Sequence, residues 1–177
     1  MFHIGKILLL ELLETRIFNQ VWQNYMTIIN RPTGWDKKFL ESAQLNASWS
    51  KDPSTGVGAV IVRPNNKIAS QGFNGFPSKI SDNPEWLNDR DIKYKVTIHA
   101  ELNAILSANE DLDGYTLYVY PFAPCSDCAL SIIQKGIVRV VTLKTPEDKL
   151  IRWKESFDFA KMLFDMAGVE LVVYDDL

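Results

Sequence analysis

The sequence contains very little cysteine or histidine, with two of each among 177 residues. Two cysteines cannot form the framework of several disulfides that staples small secreted domains. Both belong to one close pair, Cys125 and Cys128. A chain whose cysteines occur only in such a pair typically uses them for chemistry or for metal binding in a reducing compartment. We therefore expect a cytoplasmic protein with a small, defined reactive site.

Long apolar runs and an excess of positive charge are also missing. No stretch approaches the ~18 consecutive apolar residues of a membrane span. The net charge is −3, which argues against a basic nucleic-acid-binding surface but allows a small anionic ligand at a local basic patch. Apolar residues make up 46% and charged residues 23% of the chain, as in globular domains, so extensive disorder is excluded.

One domain is predicted over residues 35–177, preceded by an extension over residues 1–34. Apolar residues between 9 and 20 recur at roughly helical spacing, which indicates an amphipathic helix. A second interpretation makes residues 1–25 an upstream segment before a start at Met26. The extension lacks the apolar core and the small-residue cleavage site of a secretory signal.

From residue 35 onward the apolar pattern alternates between helices and strands. Helices are predicted over 36–49, 99–108, 124–135 and 150–167, and strands over 57–62, 67–73, 115–120, 137–143 and 169–174. Residues 74–97 are expected to be irregular, and loops of this length are usually functional or carry some local structure. The alternation predicts an α/β sandwich with a partly parallel sheet.

Two predicted helices begin with residues suited to metal chemistry. One begins at His99 with Glu101 close behind, and the other carries the Cys125–Cys128 pair after a proline. Residues three apart on a helix face the same way, so both sulfurs can reach one point, and a helix N-terminus favours their thiolate forms. Two thiolates and one imidazole make three ligands for a tetrahedral zinc, and they leave an open position for water. Glu101 can then move the protons of that water without binding the metal.

Each half of this pattern has another interpretation when taken alone. An isolated C-x-x-C pair in an α/β chain can be a thioredoxin-like redox pair, and His99 alone can be a core histidine. The combination H-x-E followed by P-C-x-x-C is far more specific, because it is the signature of zinc-dependent nucleobase deaminases.

On these motifs the chain resembles the cytidine and deoxycytidylate deaminase superfamily, and within it the deoxycytidylate (dCMP) deaminases most closely. The resemblance covers roughly residues 36–172. The matching stretches are 50–53, 57–62, 72–77, 99–105, 124–129, 132–137 and 152–157. The zinc motif indicates the superfamily. The G-x-N-G-x-P loop and the long segment before His99 favour the subgroup of enzymes that act on nucleotides.

The resemblance implies a three-layer α/β/α sandwich with a five-stranded mixed sheet. It also implies zinc on His99, Cys125 and Cys128, with Glu101 as the general acid and base. Asn74 would then hydrogen-bond the sugar or base of the nucleotide. The implied reaction converts dCMP to dUMP and ammonia, which supplies dUMP for thymidylate synthesis.

Relatives of this kind are typically homo-oligomers, and several are regulated by dCTP and dTTP. Many of them have glycine two residues after the loop proline, where this chain has Lys79 in the sequence Pro77-Ser78-Lys79. That departure argues against the same nucleotide regulation here.

The phosphate of a nucleotide needs a charge-assisted contact. We expect Lys51, in the family-like segment at 50–53, to supply it. Other cations occur in the long segment before His99, namely Lys79, Arg90, Lys93 and Lys95. Tyr120, at the end of a predicted strand, either lines the pocket or packs as an ordinary strand residue.

Rival functions remain open at this point. The same zinc site could serve a tRNA adenosine deaminase, a dCTP deaminase, a free-nucleoside cytidine deaminase or a riboflavin-pathway deaminase, although the acidic balance makes a nucleic-acid substrate unlikely. Two other classes are a zinc-stabilised interaction module, which would usually have a fourth ligand, and a thiol oxidoreductase.

Overall fold

The computed structural model describes residues 31–177. The predicted helix within residues 9–20 and the alternative start at Met26 both lie outside the described residues.

A five-stranded sheet forms the centre of the described chain. Its strands are β1 (Gly58–Val62), β2 (Ile68–Phe73), β3 (Thr116–Tyr120), β4 (Arg139–Leu143) and β5 (Glu170–Tyr174), in the spatial order β2-β1-β3-β4-β5. Strand β1 runs antiparallel to both of its neighbours, whereas β3, β4 and β5 are parallel. The sheet is therefore mixed, as predicted, with a hairpin at one end and parallel crossovers at the other.

Helices cover both faces of the sheet and complete the predicted three layers. Helix α1 (Gly34–Ala47) lies on one face, where Leu40 and Ala43 are fully buried against strand residues such as Val60. The other face carries α4 (Ala100–Ser107), α5 (Ser126–Gln134) and α6 (Glu147–Ala167). Because both faces are covered, all five residues of β1 are buried, which explains its continuous apolar sequence.

Two glycines let helices approach the sheet at backbone distance. A Cβ atom at Gly72 of β2 would lie 2.5 Å from the backbone nitrogen of Ala104 in α4. A Cβ at Gly58 of β1 would collide with the carbonyl oxygen of Ala43 in α1. Only glycine permits such contact between backbones, so Gly72 sets the position of the helix that carries Glu101.

The segment after β2 is more ordered than the sequence predicts. It contains α2 (Pro84–Asn88) and α3 (Arg90–Val96), so the expectation of an irregular stretch over 74–97 is wrong for these residues. Asn83 and Asp89 cap the two helices by accepting hydrogen bonds from backbone N–H groups of the following turn. These caps offset the weak propensity of such short helices.

The two ends of this segment lie next to each other. Gly75 and Ile98 form an isolated antiparallel bridge through two backbone hydrogen bonds of 3.1 and 2.9 Å. The bridge holds the residue just before His99 against the end of β2. A stretch of more than twenty residues therefore leaves the sheet and returns directly to the start of α4.

A buried polar network ties α1 to the parallel strands. The carboxylate of Asp36 accepts two hydrogen bonds from Arg139, each 2.9 Å long, and one each from the hydroxyls of Tyr118 and Tyr174. These residues come from α1, β3, β4 and β5. The network lies on the face of the sheet covered by α1, opposite the face that carries α4 and α5.

Within residues 31–177, no helix is both long and apolar enough to cross a membrane.

Candidate active site

Two helix starts bring three metal-ligating side chains together. His99 is the N-cap of α4 and Cys125 the N-cap of α5, while Cys128 lies one turn into α5. Helix α4 begins at Ala100, one residue later than predicted, and α5 begins at Ser126, two residues later than predicted. His99 and Cys125 therefore lie just before the two helices, where their backbone is extended. Their side chains are free of capping hydrogen bonds and point to one place.

The spacing of these atoms fits a zinc ion. Nδ1 of His99 lies 3.3 Å from Sγ of Cys125 and 3.4 Å from Sγ of Cys128. A tetrahedral zinc with its usual bond lengths would separate a nitrogen and a sulfur ligand by about 3.6 Å. Zinc also prefers this donor set of one imidazole and two thiolates. The three side chains therefore fit the metal with almost no rearrangement.

Without metal, the three candidate ligands have pKa values that are shifted in different directions. A hydrogen bond from Cys128 and contact with His99 lower the pKa of Cys125 to about 4. The hydrogen bond to Cys125 raises the pKa of His99 to about 9. The Cys128 thiol donates to Cys125 and lies buried, so its pKa is raised. The lowered pKa of Cys125 favours its thiolate form, which is the form that binds zinc.

Glu101 lies beside this group without belonging to it. It is the second residue of α4, its side chain is buried, and it lines the same cavity as His99 and Cys125. Burial raises the pKa of its carboxyl group, while the neighbouring His99 lowers it. A buried carboxyl group beside a metal-binding cluster is placed to accept a proton and pass it on during a reaction.

The cavity next to the ligands has a volume of about 120 Å³. An engineered protein cavity of roughly 150 Å³ is known to hold benzene, so the volume is of the order needed for one six-membered ring. Its walls come from three parts of the chain: the loop before β1, the helix α3, and the first turns of α6. The loop before β1 and helix α6 are distant in sequence from the zinc motif, whereas α3 ends three residues before His99.

Asn74 lines the cavity and also holds one of its walls in place. Its Oδ1 accepts a hydrogen bond of 2.7 Å from the backbone N–H of Val57, and its Nδ2 donates one of 3.0 Å to the carbonyl of Thr55. One hydrogen of the Asn74 amide remains for a ligand. The predicted substrate-binding asparagine therefore lies where a ligand can reach it, with its orientation set by the loop.

A buried ion pair stabilises the same loop. Nζ of Lys93, in α3, lies 2.8 Å from both Oδ1 of Asp52 and Oγ of Ser54. The lysine side chain is 6% exposed and lines the cavity. Because its charge is balanced by Asp52, Lys93 joins α3 to the loop and adds little net positive charge to the cavity.

The structure does not bring Lys51 or Tyr120 to the cavity. Nζ of Lys51 forms a salt bridge of 2.7 Å with Asp82, and its side chain is 68% exposed. Tyr120 follows the alternation of β3, so it packs on the α1 side of the sheet, where its hydroxyl accepts a hydrogen bond from Gln44. Neither residue lines the cavity.

One wall of the cavity consists of aromatic side chains that were not predicted from the sequence. Phe122 packs against Phe157 with ring centres 5.7 Å apart, and Trp153 stacks on Phe157 and meets Tyr94 edge to face at 6.2 Å. All four line the cavity. Trp153 and Phe157 lie four residues apart on α6, and this spacing was a readable signal that they share one helix face.

Comparison with known proteins agrees with this geometry. Residues 33–144 match the family described as the cytidine and deoxycytidylate deaminase zinc-binding region. The chain belongs to this family. The match covers more than half of the sequence and includes His99, Glu101, Cys125 and Cys128. The cofactor of the protein is zinc, and the His99, Cys125 and Cys128 group is positioned for metal binding.

Individual relatives match over most of their length. The chain is 49% identical over 137 residues to an uncharacterized deaminase in the luxG 3′ region of Aliivibrio fischeri, covering 77% of this chain and 91% of that protein. It is 43% identical over 141 residues to human deoxycytidylate deaminase, covering 76% of each. The dCMP deaminase of cyanophage S-TIM5, solved with dCMP and dUMP, superposes with a TM-score of 0.61 at 26% identity, covering 77% of this chain and 94% of that one.

Proposed function

We propose that this protein catalyses the hydrolytic deamination of dCMP to dUMP and ammonia, and so supplies dUMP for thymidylate synthesis. The observation that carries the proposal is a buried carboxyl group, Glu101, in one cavity with a Cys₂His group of zinc-like spacing. The human relative named deoxycytidylate deaminase and the cyanophage enzyme with bound dCMP and dUMP support the choice of substrate.

His99 would hold the zinc through Nδ1, and Cys125 and Cys128 through their sulfurs. When bound, zinc supplies Lewis-acid chemistry and lowers the pKa of a coordinated water to about 7. Three protein ligands leave a position for that water, as in other catalytic zinc sites.

Glu101 moves the protons of the reaction. Its carboxylate accepts a proton from the attacking water and delivers it to N3 of the cytosine, while the water oxygen bonds to C4. The proton of the hydroxyl group now on C4 then passes through Glu101 to the exocyclic amino group. The C4–N4 bond breaks as the C4 carbonyl forms, and ammonia leaves. The sum is dCMP plus water giving dUMP plus ammonia, with no redox change. Burial helps because a carboxyl group shielded from solvent exchanges its proton with the substrate rather than with bulk water.

Asn74 would orient the nucleotide with the amide hydrogen that its loop contacts leave unused. The cavity volume and the aromatic wall suit a pyrimidine ring, and the polar groups of Asn74 and Glu101 suit its edges and its sugar.

Replacement of Glu101 by glutamine tests the proposal. Glu101→Gln should keep one zinc ion per chain and lower kcat for dCMP by roughly 100- to 10,000-fold, the usual contribution of a general acid–base group. His99→Ala should lose the zinc itself. Glu155→Gln is the matched control, because this glutamate is exposed on α6 and lies outside the cavity wall.

Ammonia release from dCMP, dCTP, deoxycytidine, cytidine and a tRNA stem-loop, with and without a chelator, separates the rival substrates. Full turnover of dCMP by Glu101→Gln would refute the assigned role. Turnover of another substrate in place of dCMP would keep the deaminase chemistry and overturn the choice of dCMP.

Four further expectations belong to this proposal. We infer a homo-oligomer, which light scattering can test, and a catalytic domain over residues 35–177 that retains activity without residues 1–34. The two free, buried cysteines suit a cytoplasmic location. With Lys79 where many relatives have glycine, dCTP and dTTP should leave the rate of dCMP turnover unchanged.

A further inference from the structure

One face of helix α6 changes from apolar to basic along the cavity. Phe157 is buried, Trp153, four residues earlier, is half-buried, and Lys149, another four residues earlier, is also partly exposed. Arg152 is exposed beside Trp153, and all four residues line the cavity. The aromatic end of this face therefore lies in the protein interior and the basic end at the mouth.

Two of the other cations considered for the phosphate are already paired with carboxylates. Lys93 is buried and paired with Asp52, and Lys51 pairs with Asp82 away from the cavity wall. Lys149 has only a long contact of 3.7 Å with Asp148, whose side chain is 71% exposed. Such an exposed pair contributes little and leaves the lysine available.

Arg152 is different because no carboxylate among residues 31–177 pairs with it. The hydrogen bond that it makes within the described chain goes to the hydroxyl of Tyr94, at 3.4 Å. Tyr94 in turn packs edge to face on Trp153. The guanidinium is thus held at the mouth by a phenol, with most of its donors still unused.

We propose that Arg152, assisted by Lys149, binds the 5′-phosphate of the substrate and makes this enzyme specific for a nucleotide over a nucleoside. The proposal rests on the proposed deamination. A planar guanidinium donates two parallel hydrogen bonds to a phosphate, which suits Arg152 better than a lysine for this task. Tyr94 holds the guanidinium towards the mouth.

Position along the helix agrees with the shape of a nucleotide. Arg152 and Phe157 are five residues apart, which is about 7.5 Å along a helix axis. Both residues line the cavity, so a base lying against Phe157 and Trp153 would place its phosphate towards Arg152 at the solvent end, with the sugar spanning the interval. The cavity can enclose the ring while the charged group stays partly hydrated, so the phosphate need not be fully desolvated.

Zinc-loaded Arg152→Gln, Arg152→Lys and Lys154→Gln should be compared with the unaltered protein. Lys154 is the matched control because it lies on the same helix, pairs with Asp158 and does not line the cavity. Arg152→Gln should lower kcat/KM for dCMP by roughly 10- to 100-fold, the range for a hydrogen bond to a charged group, and leave kcat/KM for deoxycytidine unchanged. Arg152→Lys should retain part of the preference for dCMP over deoxycytidine, because lysine keeps the positive charge but cannot donate two parallel hydrogen bonds to the phosphate.

Two further measurements test the same phosphate contact. Calorimetry with dUMP and deoxyuridine should show that Arg152→Gln weakens binding of dUMP alone. Added salt should reduce the preference of the unaltered protein for dCMP, because the site is exposed, and should have little effect on that of Arg152→Gln.

The outcomes separate this inference from the proposed function. Equal turnover of dCMP and deoxycytidine by the unaltered protein, or an unchanged preference in both Arg152 variants, would overturn the phosphate role and keep the deaminase. Failure of the unaltered protein to deaminate any cytosine substrate would overturn both.

Discussion

Replacing Asp36 by asparagine should destabilise the protein strongly although the residue lies on the face of the sheet opposite the zinc ligands. Its carboxylate accepts four hydrogen bonds, two from Arg139 and one each from Tyr118 and Tyr174. The side chain of Asp36 is 16% exposed and that of Arg139 is 25% exposed. Removing the charge therefore leaves a guanidinium without its main partner in a site that water reaches poorly.

The magnitude follows from this partial burial. Breaking a fully buried ion pair costs about 3–5 kcal/mol, and the limited exposure of Arg139 places the expected loss near the lower limit, at about 3 kcal/mol. For a chain of 177 residues, that loss corresponds to a fall in Tm of roughly 6–12 °C. Summing four separate hydrogen bonds would overestimate the effect, because the four groups form one network.

The cost should also depend on pH in a defined direction. Burial raises the pKa of Asp36, but the hydrogen bonds from Arg139, Tyr174 and Tyr118 outweigh it, so the pKa lies below the usual 3.8. A lowered carboxyl pKa in the folded state contributes stability that is present above the unfolded pKa and disappears as pH falls through the folded pKa. The difference between Asp36→Asn and the unaltered protein should thus be largest above about pH 5 and shrink below about pH 4.

Urea unfolding at pH 7 and at pH 3.5 measures both quantities. Glu170→Gln is the matched control, since Glu170 also pairs with Arg139 but is 63% exposed, so its loss should cost below about 1 kcal/mol. A loss below about 1 kcal/mol for Asp36→Asn at pH 7, or an equal loss at both pH values, would refute the reasoning. Deamination at 25 °C should continue in the folded fraction, because the network lies on the opposite face of the sheet.

Two other substitutions separate packing from chemistry. Gly72→Ala should lower both stability and kcat, because a Cβ 2.5 Å from the backbone of Ala104 must displace the helix that carries Glu101. The control is Gly114→Ala, at a turn with open space around it, which should lower stability without lowering kcat. An effect of Gly72→Ala on stability alone would contradict that coupling. Lys93→Met should lower the free energy of unfolding by about 3 kcal/mol, since it leaves Asp52 buried without its cation, and Lys93→Met with Asp52→Leu should recover part of the loss. Chemical denaturation of the single and double variants measures this coupling, and purely additive losses would contradict it.

Several elements could be predicted because their causes are local. The continuous apolar run of β1, the turn at Pro64 to Asn66 and the left-handed Gly136 after α5 each depend on a few neighbouring residues. The two short helices α2 and α3 were missed although Asn83, followed by Pro84, and Asp89 are good N-caps. Helices of this length have little propensity of their own, and their order depends on contacts such as the one between Lys93 and Asp52.

The cluster of metal ligands follows from sequence for the same local reason. A helix brings Cys125 and Cys128 to one side, and with few histidines in the chain, His99 is the natural third ligand. The cavity wall is different. Lys51 was expected at the phosphate and Tyr120 at the pocket, but the first pairs with Asp82 and the second follows the pleat of β3 to the opposite face.

The sequence by itself determined the order of the five strands and the four longer helices, the scarcity of possible ligands and the donor set for zinc. These depend on chain-local periodicity and on the chemistry of a few side chains. The tertiary structure alone decided which residues face the ligands, because the cavity is assembled from a loop, α3 and α6, which are distant in sequence. Arg152, Lys93 and Lys51 are equally charged in the sequence. Their different partners, Tyr94, Asp52 and Asp82, arise only when those segments pack together, and so only the fold leaves Arg152 free of a carboxylate within the described chain.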